Sequence, residues 1–292
     1  VLPAAEVNTT FVGAGFDKDG KVVKVVIDHA QQKMNFDKDL QITTDLTAEQ
    51  ITKIELGDGY GMKAASTIGK NWHEQIPELE KWMVGKTIDE IKAMKQTETS
   101  VPDVPELTSS VTIKVADYIA AIEEAYNNRI EIKQGAVKLG IGSAIDFNKS
   151  KNADVANKVT ALAQVNTEMT VTAFDSTGKV VGNIYDVLEA KVKFDADGKV
   201  TNKADAQETK QELAERYGMG AGPVSGKHWF EQVNAFSKWT VGKTVKDINA
   251  LPLLEGGYVD ASKADLADLA SSVTVHVNSF IPVIEESFTT AK

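Results

Sequence analysis

Cysteine is absent from the 292 residues, which removes disulfides, thiolate nucleophiles and Cys-ligated metals together. Arginine occurs only as Arg129 and Arg216, so a substrate site built on paired guanidinium groups has almost no material to draw on. The formal net charge is −10. Nucleic acid is excluded as a partner on that ground, because phosphate contacts need Lys and Arg in clusters. No apolar run approaches the roughly 20 residues of a membrane-spanning helix. The histidines, His29, His73, His228 and His276, lack metal-ligand spacing, so neither a metal site nor a catalytic residue is expected. What is present, 42% hydrophobic and 25% charged residues, is ordinary for a globular chain long enough for two domains.

The organisation comes from a tandem duplication. Asp17-Lys18-Asp19-Gly20 sits between apolar, β-branched runs as a hairpin turn, and Asp175-Ser176-Thr177-Gly178 repeats it. Both second strands run through an Asp, Asp28 or Asp186, to Phe36 or Phe194, with 194 − 36 = 158. Gly59-Tyr60-Gly61-Met62 is matched by Arg216-Tyr217-Gly218-Met219, with 217 − 60 = 157. A helix then begins at Trp72 and again at Trp229, its face carried by Ile76, Leu79 and Met83 or by Val233, Phe236 and Trp239. Thr87-Ile88-Asp89-Glu90 is a capping box that starts a further short helix. Strands first and helices after give an α+β class in two homologous units, 1–130 and 135–292, expected to fold separately. Between them a short helical stretch is expected around Asp154 to Leu162, and Gly140-Ile141-Gly142 reads as a turn.

The stretch best preserved between the units is Leu107-Thr108-Ser109-Ser110-Val111-Thr112, returning as Leu269-Ala270-Ser271-Ser272-Val273-Thr274. Apolar residues at helical spacing follow each copy, predicting closing helices over 110–127 and 272–288 with Ser109 and Ser271 as N-caps. Thr112 and Thr274 then fall in or near the first turn, where free backbone N–H groups favour a phosphate. Pro282 predicts a kink or an early end in the second of these helices. Other motifs dissolve on inspection. Asp17 and Asp195 open no EF-hand, since the sixth positions are Val22 and Val200 rather than Gly. The two Gly-Lys-Thr triplets lack the Gly five residues upstream that a P-loop needs, having Glu80 and Ser237 there.

Taken together, the hairpin with its Asp, the Tyr-Gly-Met, the Trp helix and the Ser-Ser-Val-Thr resemble the FMN-binding domains of covalently flavinylated subunits in sodium-pumping and Rnf respiratory complexes. The tandem arrangement is similar to the pheromone-type surface lipoproteins of Gram-positive bacteria that serve extracellular electron transfer. The broader family has Gly-Ala where this chain has Ser110-Val111 and Ser272-Val273. The resemblance implies two FMN groups, esterified through phosphate to Thr112 and Thr274 by an FMN transferase. Ser109, Ser110, Ser271 and Ser272 would steady the phosphate, with Lys70 and Lys227 as further candidates. Tyr60, Met62, Trp72, Tyr217, Met219 and Trp229 would lie against the flavin rings.

The implied role is an electron carrier, not an enzyme, with a flavin-dependent reductase activity left open; an enzyme reducing a specific small molecule such as fumarate would need positioned Arg. As a monomer it would take electrons from a membrane donor to extracellular acceptors such as ferric iron, held at the cell surface by a lipid anchor expected upstream of Val1. The competing reading is a non-redox surface lipoprotein for ligand binding or signalling. Lys63 faces Gly220 across the repeats, within Gly220-Ala221-Gly222-Pro223, so the flavin on Thr112 is expected to have the higher potential.

Overall fold

The computed structural model describes residues 2–133, 135–202, 207–220 and 225–292. In the first repeat β1 (Ala4–Phe16) and β2 (Val22–Asn35) form an antiparallel hairpin. It is followed by α1 (Lys53–Leu56), α2 (Trp72–Met83), α3 (Ile88–Lys92) and α4 (Ala116–Asn127). The second repeat opens with an extra strand, β3 (Lys138–Asp146), which joins β4 (Leu162–Phe174) and β5 (Val180–Lys193) in a three-stranded antiparallel sheet. Then come α5 (Lys210–Leu213), α6 (Trp229–Thr240), α7 (Val245–Asn249), α8 (Ala267–Ser272) and α9 (Phe280–Thr289). The class is α+β in two parts. No helix of the described residues is long and apolar enough to cross a membrane.

The local chemistry explains most of these elements. Asp17 Oδ1 accepts from the backbone N–H of Asp19 and Lys21, and Asp175 Oδ1 does the same for Thr177 and Lys179. Gly20 and Gly178 supply the left-handed φ values of 76° and 80° that close each turn. Glu90 Oε2 accepts from the N–H of Thr87 while the Thr87 hydroxyl accepts from that of Glu90, the reciprocal pair that starts α3. The same box recurs with Asp247 at Thr244. Pro282 does not kink α9. It occupies the first turn, where its missing N–H has no carbonyl to meet, so the helix passes through it.

Three expectations are corrected. Residues 154–162 form no helix: Asp154 and Val159 pair as a small bridge around a turn. Gly140-Ile141-Gly142 is the middle of β3 and not a turn. Its glycines exist for the helix lying across them, since a Cβ on Gly140 would stand 1.7 Å from the Ser287 carbonyl oxygen and one on Gly142 1.8 Å from that of Val283. The closing helices also begin later than expected, at Ala116 and Phe280.

Each repeat has a helix-covered core: one gathers Ile27, Trp72, Ile76, Leu79 and Ile122, the other Tyr185, Trp229, Val233, Phe236 and Ile284. Two further clusters cross the repeats. Phe11, Val26 and Ala30 pack with Leu139, Ile141, Ala173 and Val181. Ala5, Met34, Phe36 and Leu40 pack with Phe147, Val165, Ala190, Val192 and Phe194. The sheets meet so closely that a Cβ on Gly13 would stand 2.8 Å from a Val171 methyl. A C-terminal tie adds to this contact: Lys292 Nζ is 2.8 Å from Glu80 on α2.

Acidic side chains are mirrored across the same boundary. Burial pushes the Asp28 carboxyl up to about 6 against hydrogen bonds from Thr52, His29 and Ile54, and it pushes Asp186 to about 6 likewise. Glu286 on α9 rises to about 7 through burial, with Glu55 and Asp28 of the first repeat adding repulsion. Glu124 on α4 is raised by burial and then by Glu212 and Asp186 of the second. Each group binds its proton more tightly folded than unfolded, so between about pH 4 and 7 folding takes up protons and stability falls as pH rises. At about 1.4 kcal/mol per pKa unit, the buried aspartates carry a few kcal/mol across that window, more than His29, whose pKa burial lowers to about 4, returns in the opposite sense. Urea unfolding is therefore expected at a higher midpoint at pH 5 than at pH 8. Asp28→Asn, whose amide oxygen can accept the same backbone donors, is expected to flatten the slope and gain stability at pH 8. A midpoint that is flat or rises with pH would contradict this.

Candidate functional site

The buried amide of Gln75, one turn into α2, organises the first site. Its Oε1 accepts from the backbone N–H of Thr112 at 2.8 Å and from the Thr112 hydroxyl at 3.3 Å. Its Nε2 donates to the Lys70 carbonyl at 3.0 Å and to Ser66 Oγ at 3.2 Å. The second repeat rebuilds this arrangement. Gln232 Oε1 accepts from Thr274 N–H at 2.8 Å, from its hydroxyl at 3.1 Å and from Val275 N–H at 3.2 Å, while Nε2 donates to the Lys227 carbonyl at 2.9 Å. Each glutamine thus clamps a threonine to the segment that leads into the Trp helix. An amide suits the task because it offers acceptor and donor at once. Both threonines are half-buried.

The glutamines escaped the sequence reading, although the signal was available: 232 − 75 = 157, the repeat period. A Gln on an otherwise apolar helical face, with no exposure at all, must have its hydrogen bonds met inside the fold.

The serines do not cap helices. Ser109 and Ser110 end a run of turns over 105–110, and Ser271 and Ser272 are the last residues of α8. Ser110 Oγ donates to the Leu107 carbonyl and Ser271 Oγ to that of Asp268. The caps of α4 and α9 fall instead at Val115 and Ser279. Thr112 and Thr274 therefore lie ahead of the first turn, and the end of α8 offers carbonyls rather than N–H groups. The helix-dipole argument for a phosphate fails here.

Trp72 and Trp229 are core residues, 2% and 6% exposed, so neither offers a free face to a flavin ring. Trp72 Nε1 donates to the Tyr118 hydroxyl at 2.9 Å. Tyr60, Met62 and Tyr217 are half-buried and Met219 is exposed, so these four keep accessible surface. Lys63 is exposed, its backbone N–H held by Asn71 Oδ1. The comparison of Lys63 with Gly220-Ala221-Gly222-Pro223 falls in part on 221–224, outside the described residues.

Beneath each Tyr–Trp pair lies a lysine that the sequence reading did not single out. Lys53 Nζ sits 4.6 Å from the Tyr60 ring centroid and 5.7 Å from that of Trp72. Lys210 Nζ sits 4.6 Å from Tyr217 and 5.2 Å from Trp229. Asp28 fixes the first by accepting the Ile54 N–H of α1, and Asp186 the second by accepting the Gln211 N–H of α5.

Asp58, His73 and Glu74 bring ligand atoms within 4.8 Å of one another. Asp58 already accepts from the Asn71 amide and Glu74 from the Asn71 backbone. Asn71 and Glu74 form the capping box of α2, and Asp58 holds the Asn71 amide.

The chain is 34% identical to the chlorophenol reductase of Desulfitobacterium hafniense over 124 residues, 37% of this chain and 36% of that relative. It thus spans about a third of the relative's length. No protein-family model matches the chain, and no solved structure does. The match overturns the expectation of a carrier that is not an enzyme, because the relative is named as a reductase, an enzyme.

Proposed function

We propose that this chain is a redox flavoprotein with reductase activity, each repeat holding FMN through a phosphoester, one on Thr112 and one on Thr274. The observation that carries the reading is the twin threonine–glutamine clamp, kept in two repeats that have diverged around it. Esterification removes the hydroxyl proton and with it one hydrogen bond to the glutamine, yet the Thr N–H bond to the same oxygen survives and holds the linkage in place. Bound flavin would supply the electron-carrying ring. The chain's own part is to anchor it, to offer Tyr60, Met62, Tyr217 and Met219 as contact surface, and to set the charge around it. The similarity to a chlorophenol reductase supports reduction of an acceptor as the activity.

The finer placement rests on the resemblance of the motifs. An FMN transferase would mature the protein at the cell surface, a membrane donor would reduce it, and extracellular acceptors such as ferric iron would oxidise it.

The test is intact-mass spectrometry of protein produced with an FMN transferase. Two FMN-sized additions are expected on the wild type, one on Thr112→Ala, one on Thr274→Ala, and none on the double variant. A wild type with no addition, or a double variant that keeps both, would refute the assignment.

A further inference from the structure

The two lysines differ in what faces them. In the second repeat Lys210 Nζ lies 2.9 Å from Glu189 Oε1, and the Tyr217 hydroxyl donates to the same carboxylate at 3.1 Å. Burial works against the charge on Lys210, but Glu189 and Tyr217 outweigh it and hold the ammonium more firmly protonated than usual. In the first repeat the position of Glu189 is taken by Gln31, with 189 − 31 = 158. Tyr60 hydroxyl donates to the Gln31 amide oxygen at 3.3 Å and Gln31 Nε2 donates on to Glu6 at 2.6 Å, so the hydrogen-bond frame survives while the negative charge moves one side chain outward, beyond ion-pair distance of Lys53. Buried Lys53 has no carboxylate within ion-pair distance among the described residues; its near neighbours are the Tyr60 and Trp72 faces.

The surroundings do not cancel this difference. Lys191 also reaches Glu189, at 3.1 Å, and its counterpart Lys33 reaches Glu6 at 3.2 Å. Each repeat therefore has a second lysine, but only in the second does a carboxylate touch the lysine under the aromatic pair. Burial, and after it the Lys53 charge, pushes His29 down to about 4, so His29 is neutral at pH 7 and adds no cation of its own.

We propose that Lys53 and Lys210 set the potentials of the two flavins, and that the single Gln31/Glu189 exchange makes the Thr112 flavin the better electron acceptor. This rests on the flavin reading above. Two-electron reduction of FMN with uptake of one proton leaves one negative charge on the ring system. A buried cation without a counter-ion stabilises that charge, whereas an ion-paired one offers it far less. Electrons entering at the second repeat would then run downhill to the first.

The experiment is reductive titration with dithionite of Thr274→Ala and Thr112→Ala protein, each carrying one FMN verified by intact mass. The midpoint of the Thr112 flavin is expected to be the higher. Gln31→Glu, an exchange at a half-buried position that keeps the tyrosine bond, is expected to shift it down toward the second site. Glu189→Gln is expected to shift the Thr274 flavin up. Lys53→Met should lower the first midpoint more than Lys210→Met lowers the second. Loaded protein whose midpoints ignore Gln31→Glu and Glu189→Gln overturns this inference alone. Absence of FMN by mass overturns the flavin reading and this inference with it.

Discussion

Gly142→Ala is expected to undock α9 from β3 and to be among the most damaging single-atom additions the chain can suffer. The new methyl carbon would stand 1.8 Å from the Val283 carbonyl oxygen and 2.9 Å from the Ser287 nitrogen. These are backbone atoms in the middle of a helix, so no side chain can swing aside. Either α9 moves outward by more than an ångström or β3 leaves its sheet. Overpacking a core costs about 1–3 kcal/mol where side chains can adjust. Here a whole helix must shift, and about 3 kcal/mol or more is expected, a large part of a typical domain's total stability. The loss should extend to the second site. Phe280 of α9 packs on Tyr185, with ring centroids 4.1 Å apart, and on Phe236 of α6 at 5.5 Å, and α6 carries Gln232. Urea unfolding reads the stability loss. Intact mass of protein made with the transferase should show Thr274 losing its FMN in preference to Thr112. A variant as stable as the wild type would mean that α9 does not lie where the structure places it.

Residues 1–130 expressed alone are expected to lack a cooperative unfolding transition. Separation removes the partners of Phe11, Val26 and Ala30 on one side and of Met34, Phe36 and Leu40 on the other. Burying a large apolar side chain contributes roughly 1.5–3 kcal/mol. Phe11, Met34, Phe36 and Leu40 together therefore represent an amount comparable to a domain's whole stability, about 5–15 kcal/mol. The two-stranded hairpin would also be left with one face bare, and isolated hairpins are marginal in water. The boundary between 1–130 and 135–292 thus marks a repeat in the sequence, while the hydrophobic core runs across it. Circular dichroism and urea titration of the fragment test this. A sharp transition with native-like aromatic signals would show that each repeat closes its own core after all.

The sequence by itself determined the duplication, the hairpins around Asp17 and Asp175, the Trp helices, the capping boxes at Thr87 and Thr244, and the pairing of Thr112 with Thr274. All of these are local. Turn chemistry, caps and apolar periodicity act over a few residues, and the repeat shows each of them twice. Tertiary structure alone decided the rest. Gly140 and Gly142 look like a turn until α9, from the far end of the chain, lies on them and allows no side chain. Ser109 and Ser271 look like caps, but the chain delays its closing helices to Ala116 and Phe280, and the Thr112 and Thr274 backbones go to Gln75 and Gln232 instead. Lys53 and Lys210 read as ordinary helix residues. Only the strand packed against them distinguishes the buried lysine beside a neutral Gln31 from the one paired with Glu189, because which strand residue faces a lysine is decided in space.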